Sequence, residues 1–110
     1  MATMTDRQSV AANTVVANSI SGKTHEFVRE PSIVRYYGSA AAVGLFSSFI
    51  VGDEIVVEDQ ELNSANRMPI VPDDFVAQAG AFEGDRIVVK LRNSTAGAIV
   101  GFTRVDVEPV

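Results

Sequence analysis

The aliphatic residues of this 110-residue sequence mostly branch at Cβ: there are 17 valines and 7 isoleucines but only 3 leucines. Branching at Cβ restricts χ1 and suits the pleated surface of a β-sheet, whereas helical cores favour leucine. Hydrophobic residues make up 46% of the chain, which at this length is enough for one core and one domain. The sequence therefore predicts an all-β, single-domain protein.

Composition excludes several classes of function. The chain has no cysteine, which rules out disulfides, thiolate nucleophiles and cysteine-ligated metals, and its single histidine, His25, rules out any site that needs two. A net charge of −5 argues against binding nucleic acid, which needs clustered lysine and arginine. No apolar run approaches the roughly 18 residues of a membrane span, and the polar N-terminus lacks a signal-peptide hydrophobic region. We expect no nucleic-acid partner, no membrane association and no secretion.

Turn signals and alternating apolar residues divide the chain into about eight strands, which indicates an antiparallel two-sheet β-sandwich or a small barrel. Residues 1–20 are β-rich but alternate weakly, as an N-terminal arm or an edge strand would. Residues 21–110 form the sandwich domain. Its predicted strands are Lys23 to Arg29, Ser32 to Tyr37, Glu54 to Glu58, Phe75 to Phe82, Arg86 to Arg92 and Ala98 to Glu108, and a polar loop is predicted from Asp59 to Met68.

The stretch from Ser39 to Val51 fits two structures. Its apolar residues follow helical spacing, with Ser39 as a possible N-cap and Gly52 as a residue after the last turn. Gly44 in the middle and the β-rich surroundings favour a strand, which is our prediction.

Two short patterns locate core and turns. Ile87, Val89 and Leu91 alternate with polar or smaller residues and are predicted to be core. The hexapeptide that begins at Gly52 recurs with one change, Glu54 to Arg86, at Gly84, 32 residues later. We interpret both copies as a Gly-Asp turn that leads into a buried strand.

The acidic residues have a functional and a structural interpretation. Five of them lie within nine residues, at Asp53, Glu54, Glu58, Asp59 and Glu61, and such carboxylates can bind a hard cation. Their spacing is not that of a calcium loop, and a solvated strand end explains them better. The pair Asp73-Asp74 after Pro72 is likewise better explained as a turn than as part of a metal site.

Other polar motifs also have simpler explanations than catalysis or binding. His25 between Thr24 and Glu26 has the chemistry of a general base, but a half-exposed strand histidine is the better interpretation. Asn93-Ser94-Thr95 matches a glycosylation acceptor and is predicted to be a hairpin loop. Arg35, Tyr36 and Tyr37 resemble a patch for sugars or single-stranded nucleic acid, but one tyrosine is predicted to face the core and one solvent or a partner.

Apolar residues on both faces of two segments indicate assembly. The segments Val43 to Val51 and Ala98 to Phe102 are apolar on both sides of a strand, and a neighbouring subunit can cover the second face. We therefore predict a homo-oligomer rather than a monomer with a loose N-terminus.

From Gly38 onward, the order of elements resembles the small single jelly-roll virion structural proteins of bacteriophages. The residues that carry the resemblance are Gly52-Asp53 before a short strand, Asp59 through Phe75, Gly84 through Gly97, and Arg104 through Glu108. The resemblance implies a jelly-roll sandwich that serves as a coat, penton or cement subunit.

This resemblance sets the functional expectations. It implies a virion protein, assembled in the host cytoplasm, that contacts other copies of itself and other virion proteins. It implies no enzymatic activity, no catalytic residues, no cofactor and no metal. The alternative function is a small carbohydrate- or ligand-binding β-sandwich module.

Overall fold

The computed structural model describes residues 2–65, 67–69 and 74–110, and the regular structure of these residues is entirely β. The strands in chain order are β1 Ala2–Val10, β2 Val15–Val16, β3 Ser32–Ala40, β4 Leu45–Val51, β5 Glu54–Glu61, β6 Asn63–Ser64, β7 Phe75–Ala81, β8 Ile87–Asn93 and β9 Ile99–Pro109. The predicted all-β class is confirmed.

The strands pair in a nested order. β1 pairs with β9, β2 with β8, β3 with β7 and β4 with β5, and every pair is antiparallel. The chain is thus one long hairpin, rolled up so that β9 also pairs with β3 and β8 with β4. The first sheet has the order β1-β9-β3-β7 and the second sheet the order β2-β8-β4-β5, while β6 adds a short parallel bridge to β3. This is the plan of a jelly roll, so the predicted sandwich is confirmed.

The core fills the space between the two sheets. Ile87, Val89 and Leu91 of β8 have no exposed surface, which confirms the prediction made from their alternation. A strand that alternates between a buried and a solvated face has only one register that keeps its apolar side chains inside. This agreement therefore fixes which face of the second sheet points inward.

Tyr36 joins the two sheets through the middle of the core. Its ring stacks on Phe49 of β4 with 5.4 Å between the ring centres. Its hydroxyl lies 2.7 Å from Oγ of Ser47, also on β4, and both side chains are buried. Burial raises the pKa of the Tyr36 phenol, so the hydroxyl stays neutral and hydrogen-bonded to Ser47.

The stretch from Ser39 to Val51 is β-structure, as predicted, but a turn divides it. β3 ends at Ala40 and β4 begins at Leu45. Gly44 between them has a φ of 109°, which a residue with a side chain rarely adopts. After this turn Leu45, Ser47 and Phe49 point inward and are buried, which is strand and not helix periodicity.

The predicted strand from Lys23 to Arg29 is wrong. These residues form turns, and only Phe27 bridges to another segment, at Arg86. Glu26 causes the difference, because its carboxylate accepts hydrogen bonds from the Gly22 amide at 2.9 Å and from Arg86 Nε at 2.6 Å. These two partners hold the pKa of Glu26 below its ordinary value.

The predicted polar loop from Asp59 to Met68 is also wrong in its first half. β5 continues to Glu61, because Asp59 adopts a φ of 49° and a bulge there absorbs an extra residue. The next residue, Leu62, is buried and donates its amide to the Leu45 carbonyl. β6 then follows at Asn63–Ser64.

The N-terminal segment lies on the sandwich. β1 pairs with β9 over nine residues, from Ala2 opposite Val107 to Val10 opposite Ile99. Val10 and Ile20 have no exposed surface. β1 is therefore an edge strand of the first sheet, and residues 11–20 return the chain across the core to the second sheet.

Candidate interaction surface

The acidic residues that the sequence singles out do not converge on a site. Asp53, Glu54, Glu58, Asp59 and Glu61 are all exposed along the β4–β5 turn and the edge strand β5. Asp59 pairs with Arg92, with 3.2 Å between Oδ1 and Nε. Within the residues that the structure describes, no group of three histidine or acidic side chains is placed to hold a metal ion.

The Asp73-Asp74 pair is described only in part. Asp73 lies outside the described residues. Asp74 is buried, its carbonyl accepts the Gly38 amide, and its carboxylate lies 3.4 Å from the guanidinium of Arg67. Asp74 therefore links the start of β7 to β3 through Gly38, and to the segment between β6 and β7 through Arg67.

His25 lies in the turns between β2 and β3, not on a strand. It borders a depression of about 380 Å³ with Arg29, Glu30 and Ser32, beside the first residue of β1. Ser32 Oγ donates to the Glu30 carbonyl, so this hydroxyl is already engaged in the local turn. The depression combines apolar lining from Val107 and Pro109 with charges of both signs from Arg29 and Glu30.

The two tyrosines point to opposite faces of β3, as predicted. Tyr36 is in the core, whereas Tyr37 lies on the outer face. Tyr37 is also buried, because Arg104 covers its ring at 5.8 Å and Phe75 packs edge-on at 5.7 Å. Neither ring has an open face on which a sugar or a base could stack.

The Asn93-Ser94-Thr95 motif organises a hairpin loop. The Asn93 amide donates to the carbonyls of Val10 and Gly97, and its oxygen accepts from the amide and the hydroxyl of Thr95. The side chain is buried and its polar atoms are used. It is held as a structural residue of the β8–β9 loop.

One apolar segment expected to need a neighbour is covered by the chain itself. Phe102 on the outer face of β9 is buried, with the Arg7 guanidinium of β1 at 5.7 Å over its ring. In the other segment Val43 remains exposed, in the turn between β3 and β4. On the outer face of the second sheet, Ile50 is half-buried beside Val15 and Ile55, which are both exposed, so this face stays partly uncovered.

A further uncovered apolar surface lies along β7. β7 forms one edge of the first sheet: it pairs with β3 on one side and with no strand of the described residues on the other. Its sequence, Phe75 to Ala81, contains no charged residue and no proline. Charge and proline are the usual means by which a protein prevents an edge strand from pairing with another chain.

An apolar depression of about 280 Å³ lies at the end of β7. The β3–β7 register places Gly80 opposite Ile33, and since glycine has no side chain, Ile33 stays partly open. Pro31, Phe82 and Val110 complete the lining. The side chain of Phe82 is 74% exposed and that of Val110 is 90% exposed.

The other end of β7 is also apolar. Phe75 is 46% exposed although it packs on Tyr37, so the neutral edge has an exposed aromatic residue at its first position and another directly after its last. The sequence contains the signal for this surface: the eight residues from Phe75 to Phe82 carry no charge. Periodicity identifies the strand but does not tell whether it is central or at an edge.

Comparisons of the chain with protein families, with curated proteins and with solved structures find no match. The described residues contain no helix of the length and hydrophobicity needed to cross a membrane.

Proposed function

We propose that this chain is a virion structural protein of a bacteriophage: a coat, penton or cement subunit that works through contacts with neighbouring subunits. The jelly-roll plan of the fold is consistent with the resemblance noted for residues from Gly38 onward. A fold of this kind serves many functions, so we infer assembly from the surface of the protein and not from its fold.

The observation that carries the proposal is the neutral edge strand β7 with exposed apolar side chains around it. Phe82 and Val110 project almost fully into solvent at one end, and Phe75 is half-exposed at the other. Fully burying one such side chain contributes roughly 1.5–3 kcal/mol. Contact with a neighbouring subunit removes these side chains from water, which favours association.

The proposal is tested by purifying the full chain and examining it by light scattering and electron microscopy over a range of protein and salt concentrations. Rings or shells are the expected result. A chain that remains a monomer of 11.7 kDa, or stops at an isolated dimer, under all of these conditions contradicts the proposal.

The alternative function, a ligand-binding module, is favoured by the cleft around His25, which combines apolar and charged lining. Arg29 and Glu30 beside the imidazole offer hydrogen-bond donors and acceptors of both charges to a small polar ligand. Retention of the monomer on a glycan array, lost on replacing Arg29 with alanine and kept on replacing the exposed Lys90, would favour this function.

A further inference from the structure

We infer that β7 is the contact through which two copies of this chain associate, by antiparallel pairing of β7 with β7 of the second copy. The inference rests on the proposed function, since it names the partner and the contact for the same surface. The two copies are related by a twofold axis that passes beside Gln78. The first sheets of both copies then form one continuous sheet, to which each copy contributes its four long strands in the order β1-β9-β3-β7 and the short strand β6 beside β3.

The charges on the edge strands select β7 among the three long edges of the sandwich. The β5 edge carries Glu54, Glu58, Asp59 and Glu61, so two β5 strands side by side repel each other. The β1 edge carries Asp6 and Arg7, and Asp6 lies 4.0 Å from Lys23. β7 has no charge to desolvate and no like charge to bring together, which makes it the edge best suited to a second copy of a chain with net charge −5.

The length and register of β7 suit self-pairing. Its seven residues have Gln78 in the middle, so an antiparallel pair centred there places Gln78 opposite Gln78 and Ala77 opposite Ala79. Gly80 is the residue whose missing side chain leaves Ile33 open, and a Cβ built there meets no atom within 4 Å. The pairing of β7 with β3 skips Val76, whose side chain packs against the core, so the regular part of the contact runs over residues 77–81. The two Gln78 side chains, neutral and exposed, meet at the axis.

The absence of cysteine in the chain allows a direct test. Gln78→Cys gives each molecule a single thiol, and in the proposed pair the two Cβ atoms lie roughly 5 Å apart, close to disulfide distance. The control is Ser9→Cys, which places a thiol at an exposed position on the β1 edge and reports random collision. At low protein concentration with oxidised glutathione, Gln78→Cys is expected to form disulfide dimers roughly tenfold faster or more, because association raises the effective thiol concentration. Equal rates in the two variants would overturn the inference.

A second variant measures association without a covalent bond. Gly80→Lys adds a charge at the contact, and because its Cβ has open space the variant is expected to keep the far-UV spectrum of the unmodified chain. Its dimer dissociation constant in sedimentation equilibrium is expected to rise at least about tenfold, since the ammonium must be desolvated. Ser9→Lys, the matched change on β1, is expected to leave the constant unchanged. A dimer that persists in Gly80→Lys, or that Ser9→Lys dissociates, would show that another edge forms the contact.

Salt gives an independent measurement. Because each copy carries a net charge of −5 and the proposed contact is neutral, added sodium chloride is expected to strengthen association by screening repulsion. Weaker association at high salt would contradict a neutral contact.

The outcomes separate this inference from the proposed function. Rings or shells that survive Gly80→Lys would overturn the inference and leave the function standing. Dimers that depend on β7 but never form larger assemblies would support the inference and contradict the proposed function.

Discussion

The carboxylate of Asp85 packs against the backbone of Gly52: a Cβ added to Gly52 would lie 2.8 Å from Asp85 Oδ1. These residues belong to the two Gly-Asp turns of the repeated hexapeptide, one between β4 and β5 and the other before β8. The Gly52 amide also donates to the Arg86 carbonyl at 2.9 Å. The two copies of the repeat are thus neighbours in space, and their glycines, with φ of 59° and 91°, confirm the prediction of turns. The predicted buried strand follows only the second turn: β8 is largely buried, whereas β5 is an exposed edge strand.

Gly52→Ala is expected to destabilise the protein. The side chain has to accept a left-handed backbone, which costs about 1–3 kcal/mol, and it displaces a carboxylate that accepts the Phe82 amide. The free energy of unfolding in urea measures this loss. Gly97→Ala is the control: a Cβ there meets no atom within 4 Å, so a change within about 0.5 kcal/mol is expected. An equal effect of both substitutions would contradict this argument.

Tyr36 and Ser47 are expected to be energetically coupled. Tyr36→Phe leaves the buried Ser47 hydroxyl without its partner, and Ser47→Ala does the same to the phenol, so each change costs about 1–3 kcal/mol. In the double variant neither hydroxyl is left unpaired. Its loss of unfolding free energy is therefore expected to be smaller than the sum of the two single-variant losses by about 1 kcal/mol. Tyr37→Phe is the control, because the Tyr37 hydroxyl has no hydrogen bond to a described residue. Additive losses would show that the two hydroxyl groups are independent.

Glu26 is expected to make stability depend on acid pH. Its pKa is lowered in the folded protein from an ordinary value of 4.5, chiefly by the Gly22 amide and then by Arg86. A lowered pKa stabilises the fold above the unfolded-state value, and this contribution is lost as the pH falls through the folded-state value. Unfolding by urea is therefore expected to show a stability gap between the unmodified chain and Glu26→Gln at pH 7 that narrows in acid. Glu30→Gln, at an exposed position, serves as the control. A gap that stays constant from pH 7 to strongly acid solution would contradict this role.

Calcium is expected to leave the melting temperature unchanged. The acids of the β4–β5 turn and β5 belong to no group of described residues that could hold a metal ion, and Asp59 already pairs with Arg92. A ligand that binds only the folded state has to stabilise it, so a calorimetric scan with millimolar calcium or with EDTA is a sufficient test. A rise of several degrees with calcium would show a cation site on this edge.

The predictions that were correct are those that depend on local sequence patterns. The excess of valine and isoleucine indicated β-structure, and the alternation at Ile87, Val89 and Leu91 identified the buried face of β8. The strand predicted around Glu26 was wrong because the residues alternate as in a strand. The conformation of this loop depends on the contact between Glu26 and Arg86, which is 60 residues away in the sequence.

The candidate surface illustrates a second limit. Alternation places Phe75 to Ala81 in a strand, but whether that strand has one neighbour or two is decided by residues elsewhere in the chain. The same holds for residues 1–20, whose weak alternation fits both an arm and an edge strand. The sequence of residues 1–20 does not reveal that Ala2–Val10 pairs with β9 along nine residues. Edge positions, and therefore docking surfaces, follow from topology rather than from composition.

The nested pairing of strands also sets the order in which the protein is completed during synthesis. Among the strand pairs of the described residues, the innermost pair, β4 with β5, joins neighbouring segments, so it can close before the later strands have been synthesised. β9 lies between β1 and β3, and because it is the last of these strands in chain order, the first sheet has no central strand until β9 has left the ribosome. Contacts between such distant parts of a chain are slow to form, since the entropy of closing long loops comes first. Until then β1 and β3 each expose an unpaired edge, and the new chain has to complete its first sheet before a neighbouring chain pairs with those edges.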